Sequence, residues 1–526
     1  MDKPEAEIEA ALERLISAGL LFRLGFPPYA SYLFKHALVQ DTAYGTLLRG
    51  QRRALHARIA ATLESQFAEA METRPELLAR QCAEAGLLEK AAGLWGKAGQ
   101  RSLERSALVE AVSQFTRGLN ENAALPATPT LRRQQISLQV GLAQGLYHTK
   151  GMAAPETKAA FDRARLLIEH AETLGKPAED PLLLYSVLYG LFIAKFIAFD
   201  GDAACALATQ FLTLARRQKA TVPTMVGHRL LGNSLLVIGD FAEGLANLDR
   251  ALALYDATAH RPLATRFGQD IGVAILSFRP LAQWILGYPK TALAEAARSF
   301  KAAREMDHVP TLIFALACTT FTHILCREYA MAKSQLDECV VLAEDKGAVT
   351  MKMFAMSERG WVMALTGKTS AAVETIRGGV DGYRSTGATA WTTAWLSHLA
   401  LANAQLGKFD DARRCISEAM SVAQTTKELW FEAEINRIAG EIAQLSPEQN
   451  ATNAEEYFER ALAIARQQQA KSWELRAAMS LSRFWRDQGK TAEARELLAP
   501  VYGWFTEGFD TRDLKEAKAL VDELGS

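Results

Sequence analysis

A turn signal returns about every forty residues through most of this chain, and that rhythm narrows the possible folds more than composition does. The clearest unit is Arg229 to Asp256, RLLGNSLLVIGDFAEGLANLDRALALYD. It offers Leu231, Gly232 and Leu235, then a Gly239-Asp240-Phe241 turn, then Gly244, Leu248, Ala251 and Leu252. Small residues at 232, 244 and 251 let two antiparallel helices approach closely, while Leu235 and Leu248 fill the space between them. Gly239, lacking a Cβ, relieves the turn by taking positive φ. Equivalent turns fall at Phe199, Gly287, Arg327, Gly367, Gly407, roughly Gln449 and Gly489. With Gly239 in place the steps are 40, 48, 40, 40, 40, 42 and 40 residues. Five residues after most of these anchors stands an alanine: 204, 292, 332, 372, 412, 454 and 494. An earlier unit fits around Trp95, Gly99, Ala111 and Phe115; residues 130–175 are helical with a weaker match.

The order of Leu-Gly, apolar residue, Gly-Asp-aromatic turn and small-large-small seam resembles the tetratricopeptide pattern. The period exceeds the standard 34 residues by about six, so each helix should be nearly one turn longer at about 1.5 Å per residue. A helix pair cannot bury its apolar face alone and must stack on its neighbours. The expected fold is all-α, a tetratricopeptide-like right-handed α-solenoid of helix-pair repeats. Such long-helix repeats look like those in the ligand-sensing half of the maltose-regulator type of transcription activator.

Charge and cysteine usage narrow the function. The 59 basic and 60 acidic residues leave a net charge of −1, without the basic excess of a nucleic-acid binder, so no nucleic acid is expected. Six cysteines at 82, 205, 318, 326, 339 and 415 form no CxxC pair and suit reduced thiols in a cytoplasm. The N-terminus is acidic and amphipathic, unlike a signal peptide. Leu182 to Phe199 is apolar apart from Ser186 and Lys195 and is long enough to span a bilayer. It lacks basic flanks and falls on a repeat position, so a buried solenoid helix is expected and no membrane contact.

The first 66 residues differ. Residues 8–18 should form an amphipathic helix ended by Gly19. Leu20–Leu24 and Ser31–Phe34 should form short strands around a Gly-Phe-Pro-Pro-Tyr turn. Helices from His36 to about Leu48 and from Arg52 to about Glu64 should follow. That order suits the back half of a winged-helix domain and its exit. FKHALVQDTAYGTLLRGQRRALHARIAATLE resembles the linker after the ATPase core of bacterial signal-transducing ATPases, many of which begin with a class III adenylate or guanylate cyclase domain and end in tetratricopeptide repeats. GWFTEGFDTRDLKEAKALVDEL, residues 503–524, looks like the closing segment of the same cyclase-linked family. The resemblance implies two regions, a winged-helix-like remnant with exit helices at 1–66 and a solenoid at 67–526. It carries over neither activity, because the paired metal-binding aspartates of a cyclase and the Walker A loop of an ATPase are not in this sequence.

Other motifs have plain explanations. Gly367-Lys368-Thr369 and Gly489-Lys490-Thr491 imitate a phosphate loop, but Val362 and Phe484 stand where its first glycine belongs, and both coincide with repeat turns. His323 and Cys326 share a helix face, with Cys318 and Cys339 near in sequence; zinc needs four converging ligands, and buried packing is the better account. There is no Gly-x-Ser-x-Gly elbow. No catalytic, cofactor or metal site is therefore expected, and no enzyme activity. Arg49, Arg52, Arg53 and Arg58 form a basic cluster, yet the recognition helix of a winged helix would fall near 8–18, where Glu7, Glu9 and Glu13 repel phosphate.

In a tetratricopeptide array the first helix of each pair lines the concave surface. Counting back from the anchors places Tyr185, Phe196, Arg229, Asn233, Trp284, Phe314, Phe321, Phe354, Trp361, Arg476 and Arg483 inward. Aromatics and arginine are enriched at binding hot spots, although long-helix repeats also use such positions as packing. The candidate contacts are Arg229, Asn233, Trp284, Phe314, Phe321, Phe354 and Trp361, with an apolar-floored groove at about 225–410 for a protein or peptide partner or a small effector. The expected function is a cytoplasmic, non-enzymatic scaffold or sensor of a bacterial cyclase–ATPase signalling system. The alternatives are a portion of a cyclase-type enzyme named for its missing half and, behind it, a transcription-regulator-type effector sensor.

Overall fold

The computed structural model describes residues 4–26, 30–126, 128–173, 180–446 and 451–525. Among them the fold is all-α apart from one antiparallel hairpin, which pairs Leu21–Leu24 with Ser31–Phe34. The chain divides into two compact units, Met1–Trp95 with Asn120–Pro126, and Gly96–Leu119 with Ala127–Ser526.

In the first unit the expected element order is present: helix Glu5–Ser17, the hairpin, then helices Ala37–Gly45 and Arg49–Gln66. Gly19 ends the first helix at φ +68°. Pro27, Pro28 and Tyr29 of the expected turn lie outside the described residues. Packing is light here, since Ala37–Gly45 buries no residue and Arg49–Gln66 buries Ala60 alone, while Phe22, Leu24, Phe26 and Leu38 stand exposed. Arg52 donates from Nε to the Leu47 carbonyl (2.8 Å) and from Nη2 to the Gly45 carbonyl (2.9 Å), with Tyr44 under its guanidinium. It satisfies carbonyls at the end of the preceding helix, which is a structural use for one member of the basic cluster.

The second unit is the helical-repeat solenoid. Thr221–Val237, Val309–Leu325, Tyr329–Asp345, Val349–Leu365, Thr369–Ser385 and Lys471–Asp487 are each 17 residues long, or about 25 Å. The turn anchors fall where the rhythm places them. Gly239, Gly287, Arg327, Gly367, Gly407 and Gly489 all take positive φ, between +62° and +97°. Each turn closes with the same hydrogen bond from the next N–H back five residues, as from Asp240 to Leu235 and from Lys368 to Met363 (both 2.9 Å). Phe199 is the exception: it is buried, and Asp200 caps the following helix by accepting from the Ala203 N–H. Gln449 lies outside the described residues. The seven seam alanines are all 0–1% exposed. Leu182–Ile197 is a repeat helix, and no helix among the described residues is long and apolar enough to cross a membrane.

A second order of closure lies beyond repeat stacking. The Ile197 carbonyl, at the end of one first helix, accepts from the N–H groups of Thr389 and Ala390 (2.8 and 2.9 Å). The Val237 carbonyl, one repeat on, accepts from Leu429 and Trp430 (2.9 and 3.0 Å). Both spans are 192 residues (389 − 197; 429 − 237). Side chains cap two further helix ends, Ser472 Oγ donating to the Trp284 carbonyl and Arg476 Nη2 to the Leu325 carbonyl (2.6 Å). Carbonyls left over at helix C-termini are thus capped by repeats four or five positions later. Between the capped ends runs a continuous aromatic column: Phe321 lies 5.1–6.3 Å from the rings of Trp391, Trp430, Phe354 and Trp361.

Glu428 sits at one closure, accepting from Thr393 Oγ1 (2.6 Å) and Trp430 Nε1 (3.2 Å). Burial pushes its carboxyl up to about 7 against these hydrogen bonds. Ionisation is then easier in the unfolded chain, so its contribution to stability falls as pH rises from about 4.5 to about 7. Glu428→Gln removes that titration. The variant should gain on wild type by about 3 kcal/mol between pH 5 and pH 8, read from urea midpoints at both values. An unchanged difference would show that the carboxyl is hydrated.

Candidate functional site

A concave cavity of about 250 Å³ opens within the second unit, walled by the inner helices of successive repeats. Val309–Leu325 contributes Ile324 and Leu325, Val349–Leu365 contributes Trp361 and Leu365, and Thr392–Gln405 contributes His398 and Leu401. Glu432–Leu445 brings Glu434, Arg437 and Glu441; Lys471–Asp487 brings Arg476, Met479, Ser480 and Arg483. Arg327 from a turn, Tyr329 from the start of helix Tyr329–Asp345, and Arg512 from the last helix, Arg512–Glu523, complete it.

Spacing along the inner helices places the charges. Glu434, Arg437 and Glu441 stand at i, i+3 and i+7 and so share one face. Arg437 grips Glu434 with two parallel bonds, Nε to Oε2 and Nη2 to Oε1 (both 2.7 Å), and also meets Glu441 and Ser480. Arg476 donates to Asp513 (2.8 Å) and to the Leu325 carbonyl, with Trp284 and Trp473 against its guanidinium. Burial opposes ionisation of Glu434, yet Arg437 and Arg476 hold its carboxyl down at about 2. His398 packs 4.6 Å from Trp361, and burial pushes its imidazole down to about 4, so it is neutral at pH 7.

The rim differs from the floor. Arg327 pairs with Asp513 and Glu516 (both 2.8 Å), and Glu516 is shared again with Arg483 (3.5 Å) and Arg512 (3.1 Å). Five guanidiniums (327, 437, 476, 483, 512) thus meet four carboxylates (434, 441, 513, 516). The side chains of Arg483 and Arg512 are 42% and 60% exposed. Three arginines on one carboxylate leave donor capacity facing solvent, and that geometry can take a further carboxylate or other oxyanion.

Of the inward-facing positions expected from the rhythm, Trp361, Arg476 and Arg483 line this cavity. Arg229, Asn233, Trp284, Phe321 and Phe354 are buried in the solenoid axis and Phe314 is half-buried there. They face inward, but later repeats seal that interior, so the apolar groove expected across 225–410 is filled by the chain's own side chains. Arg229 donates to the Tyr189 hydroxyl (2.9 Å) and lies beside Phe314. The open cavity instead sits among residues 324–512 and is polar. Glu434, Arg437 and Arg512 were not among the expected positions; the i, i+3, i+7 charge pattern on Glu432–Leu445 is the signal that marks the first two. His323 and Cys326 are buried in or beside helix Val309–Leu325, and among the described residues no cluster of His, Cys, Asp and Glu could hold a metal. Lys368 and Lys490 sit at helix–helix turns.

No protein-family model matches the chain. An uncharacterized protein of Rhizobium meliloti (strain 1021) is 24% identical over 443 residues, which cover 83% of this chain and 42% of that protein. The chain thus spans less than half the length of this curated relative. Among solved structures, a Rap protein complexed with Competence and Sporulation Factor is 11% identical, covers 72% of this chain and 99% of that one, and has a TM-score of 0.48. The Cut9–Hcn1 tetramer of the APC/C is 12% identical, with coverage of 94% and 99% and a TM-score of 0.44. A signal-transduction ATPase with a tetratricopeptide repeat sensor from Pyrococcus horikoshii is 11% identical, with coverage of 78% and 54% and a TM-score of 0.32.

Proposed function

We propose that this chain is a non-enzymatic regulatory module that binds an acidic segment of a protein or peptide partner in the concave cavity. One observation carries the reading: Glu516 is shared by Arg327, Arg483 and Arg512, so the rim holds guanidinium donors that its own carboxylates do not saturate. A partner carboxylate entering there gains charge-assisted hydrogen bonds, and Trp361 and Leu401 behind the rim offer it apolar contact. The cytoplasmic cyclase–ATPase setting rests on the resemblance of residues 34–64 and 503–524 to that family. The alternative, a portion of a cyclase-type signalling enzyme, draws support from the greater length of the Rhizobium relative.

The test is Arg483→Glu with Arg512→Glu in the full chain. Both side chains are substantially exposed, so stability should move by no more than about 1 kcal/mol. Proteins captured from host extract by wild type should fall at least tenfold on the double variant in quantitative mass spectrometry. Identical captured sets would defeat the proposal, and so would turnover of ATP or GTP by the purified chain.

A further inference from the structure

The pair of helices Leu182–Ile197 and Gly201–Arg217 departs at both positions from the small-residue seam of the repeats anchored at 239, 287, 327, 367 and 407. At the position of Gly232 the repeats carry Pro280, Thr320, Gly360, Ala400 and Ser482, but here Phe192. At the position of Ala251 they carry Ser299, Cys339, Gly379 and Ala419, with Val501 in the last repeat, but here Phe211. These seams close to backbone contact elsewhere: a Cβ on Gly232 would stand 2.9 Å from the Gly244 carbonyl oxygen, and one on Gly379 2.8 Å from the Ser357 nitrogen. Two phenylalanines in such a seam hold the helices apart. The gap is not refilled, because Leu235 and Leu248, which plug the neighbouring repeat, are replaced by Lys195 and Ala208.

The result is an apolar cavity of about 470 Å³, within the size range of small-molecule sites. Leu184, Leu188 and Leu191 form a stripe along one wall about 10 Å long, ending at Lys195, and Leu207 and Leu214 face it with the two phenylalanines. The third wall is the charged face of helix Pro155–Thr173: Lys158, Asp162, Arg165 and Glu169. Arg165 pairs with both acids, Asp162 at 3.6 Å and Glu169 at 3.9 Å. Lys158 and Lys195 are exposed and have no acidic partner among the described residues.

We infer that this splayed repeat is a binding site for an amphipathic carboxylate, an unbranched acyl chain lying along the leucine stripe with its carboxylate on Lys158 and Lys195. The leucine and phenylalanine walls exclude water from an apolar chain, and two lysines in no ion pair at the mouth, beside acids that Arg165 engages, select an anionic head over a neutral or cationic one. The site is separate from the concave cavity and does not rest on its assignment.

The probe is dodecanoate, titrated calorimetrically into the full chain below its micellar concentration, with dodecanol and dodecyltrimethylammonium as comparators. Saturable binding at one per chain is expected, at least tenfold tighter than either comparator. Lys158→Gln with Lys195→Gln, at exposed positions, should weaken dodecanoate at least tenfold and leave dodecanol unchanged. Leu188→Trp should fill the cavity and abolish binding of both, with circular dichroism to confirm the fold. Arg483→Glu with Arg512→Glu should leave dodecanoate binding intact, which separates this site from the partner cavity. The inference is overturned if wild type shows no saturable binding, if all three probes bind alike, or if the lysine pair proves irrelevant. A dimer in light scattering that Leu188→Glu disperses would assign the cavity to a second copy and overturn it equally.

Discussion

Phe321→Ala should destabilise the solenoid by about 3–5 kcal/mol, as large-to-small changes do at fully packed aromatic sites. The ring is entirely buried and touches Phe354, Trp361, Trp391 and Trp430. Those neighbours come from three different repeats, since Phe354 and Trp361 share helix Val349–Leu365, so collapse around the void would require several helices to move together. Urea unfolding followed by far-UV circular dichroism and tryptophan emission should show the loss with both probes in step. A change below about 1 kcal/mol would mean that the column is loosely filled, in conflict with normal interior density.

Arg476→Met should be as damaging for a different reason. The side chain is 12% exposed, bonds Asp513 and the Leu325 carbonyl, and lies 3.8 Å from Glu434. Removing the guanidinium leaves the equally buried Asp513 to Arg327 alone and a helix-end carbonyl without its donor, and a broken buried pair costs up to about 3–5 kcal/mol. Pairing it with Asp513→Leu should recover part of that loss, because both charges then leave the interior. Arg483→Ala, at the exposed rim, should change stability by about 1 kcal/mol or less. Equal effects of the 476 and 483 replacements in thermal melts would show that burial does not govern this network.

The repeat architecture was legible because it is written in side chains. Glycine at a left-handed turn and alanine in a seam are residue-specific demands, and both recur at the expected numbers. Arg327 shows how far the register goes: it takes φ +62° at an anchor where five other repeats use glycine, and its side chain pairs with Asp513 and Glu516. The closure over 192 residues was not legible. Its donors are the backbone N–H groups of Thr389, Ala390, Leu429 and Trp430, which almost any residue supplies, so no side-chain pattern announces it. Phe321 and Trp284 are accordingly buried by a covering that the repeat pattern does not announce. Phe192 and Phe211 were in plain view as departures from a pattern, but the cavity they prop open emerges only with the helices in place.

The capping of Ile197 by Thr389 and Ala390 has a consequence for biosynthesis. Ordinary repeat arrays finish each module as it emerges, needing only the one before. Here an early module stays unfinished until the ribosome has added 192 more residues, about 10–40 s at cellular elongation rates. During that wait the aromatic interior around Phe196 and Phe278, which Trp391 later covers, is open to water and to chaperones. The nascent chain passes through a stage at which its stickiest surface is exposed, and it leaves that stage only when its distant half arrives.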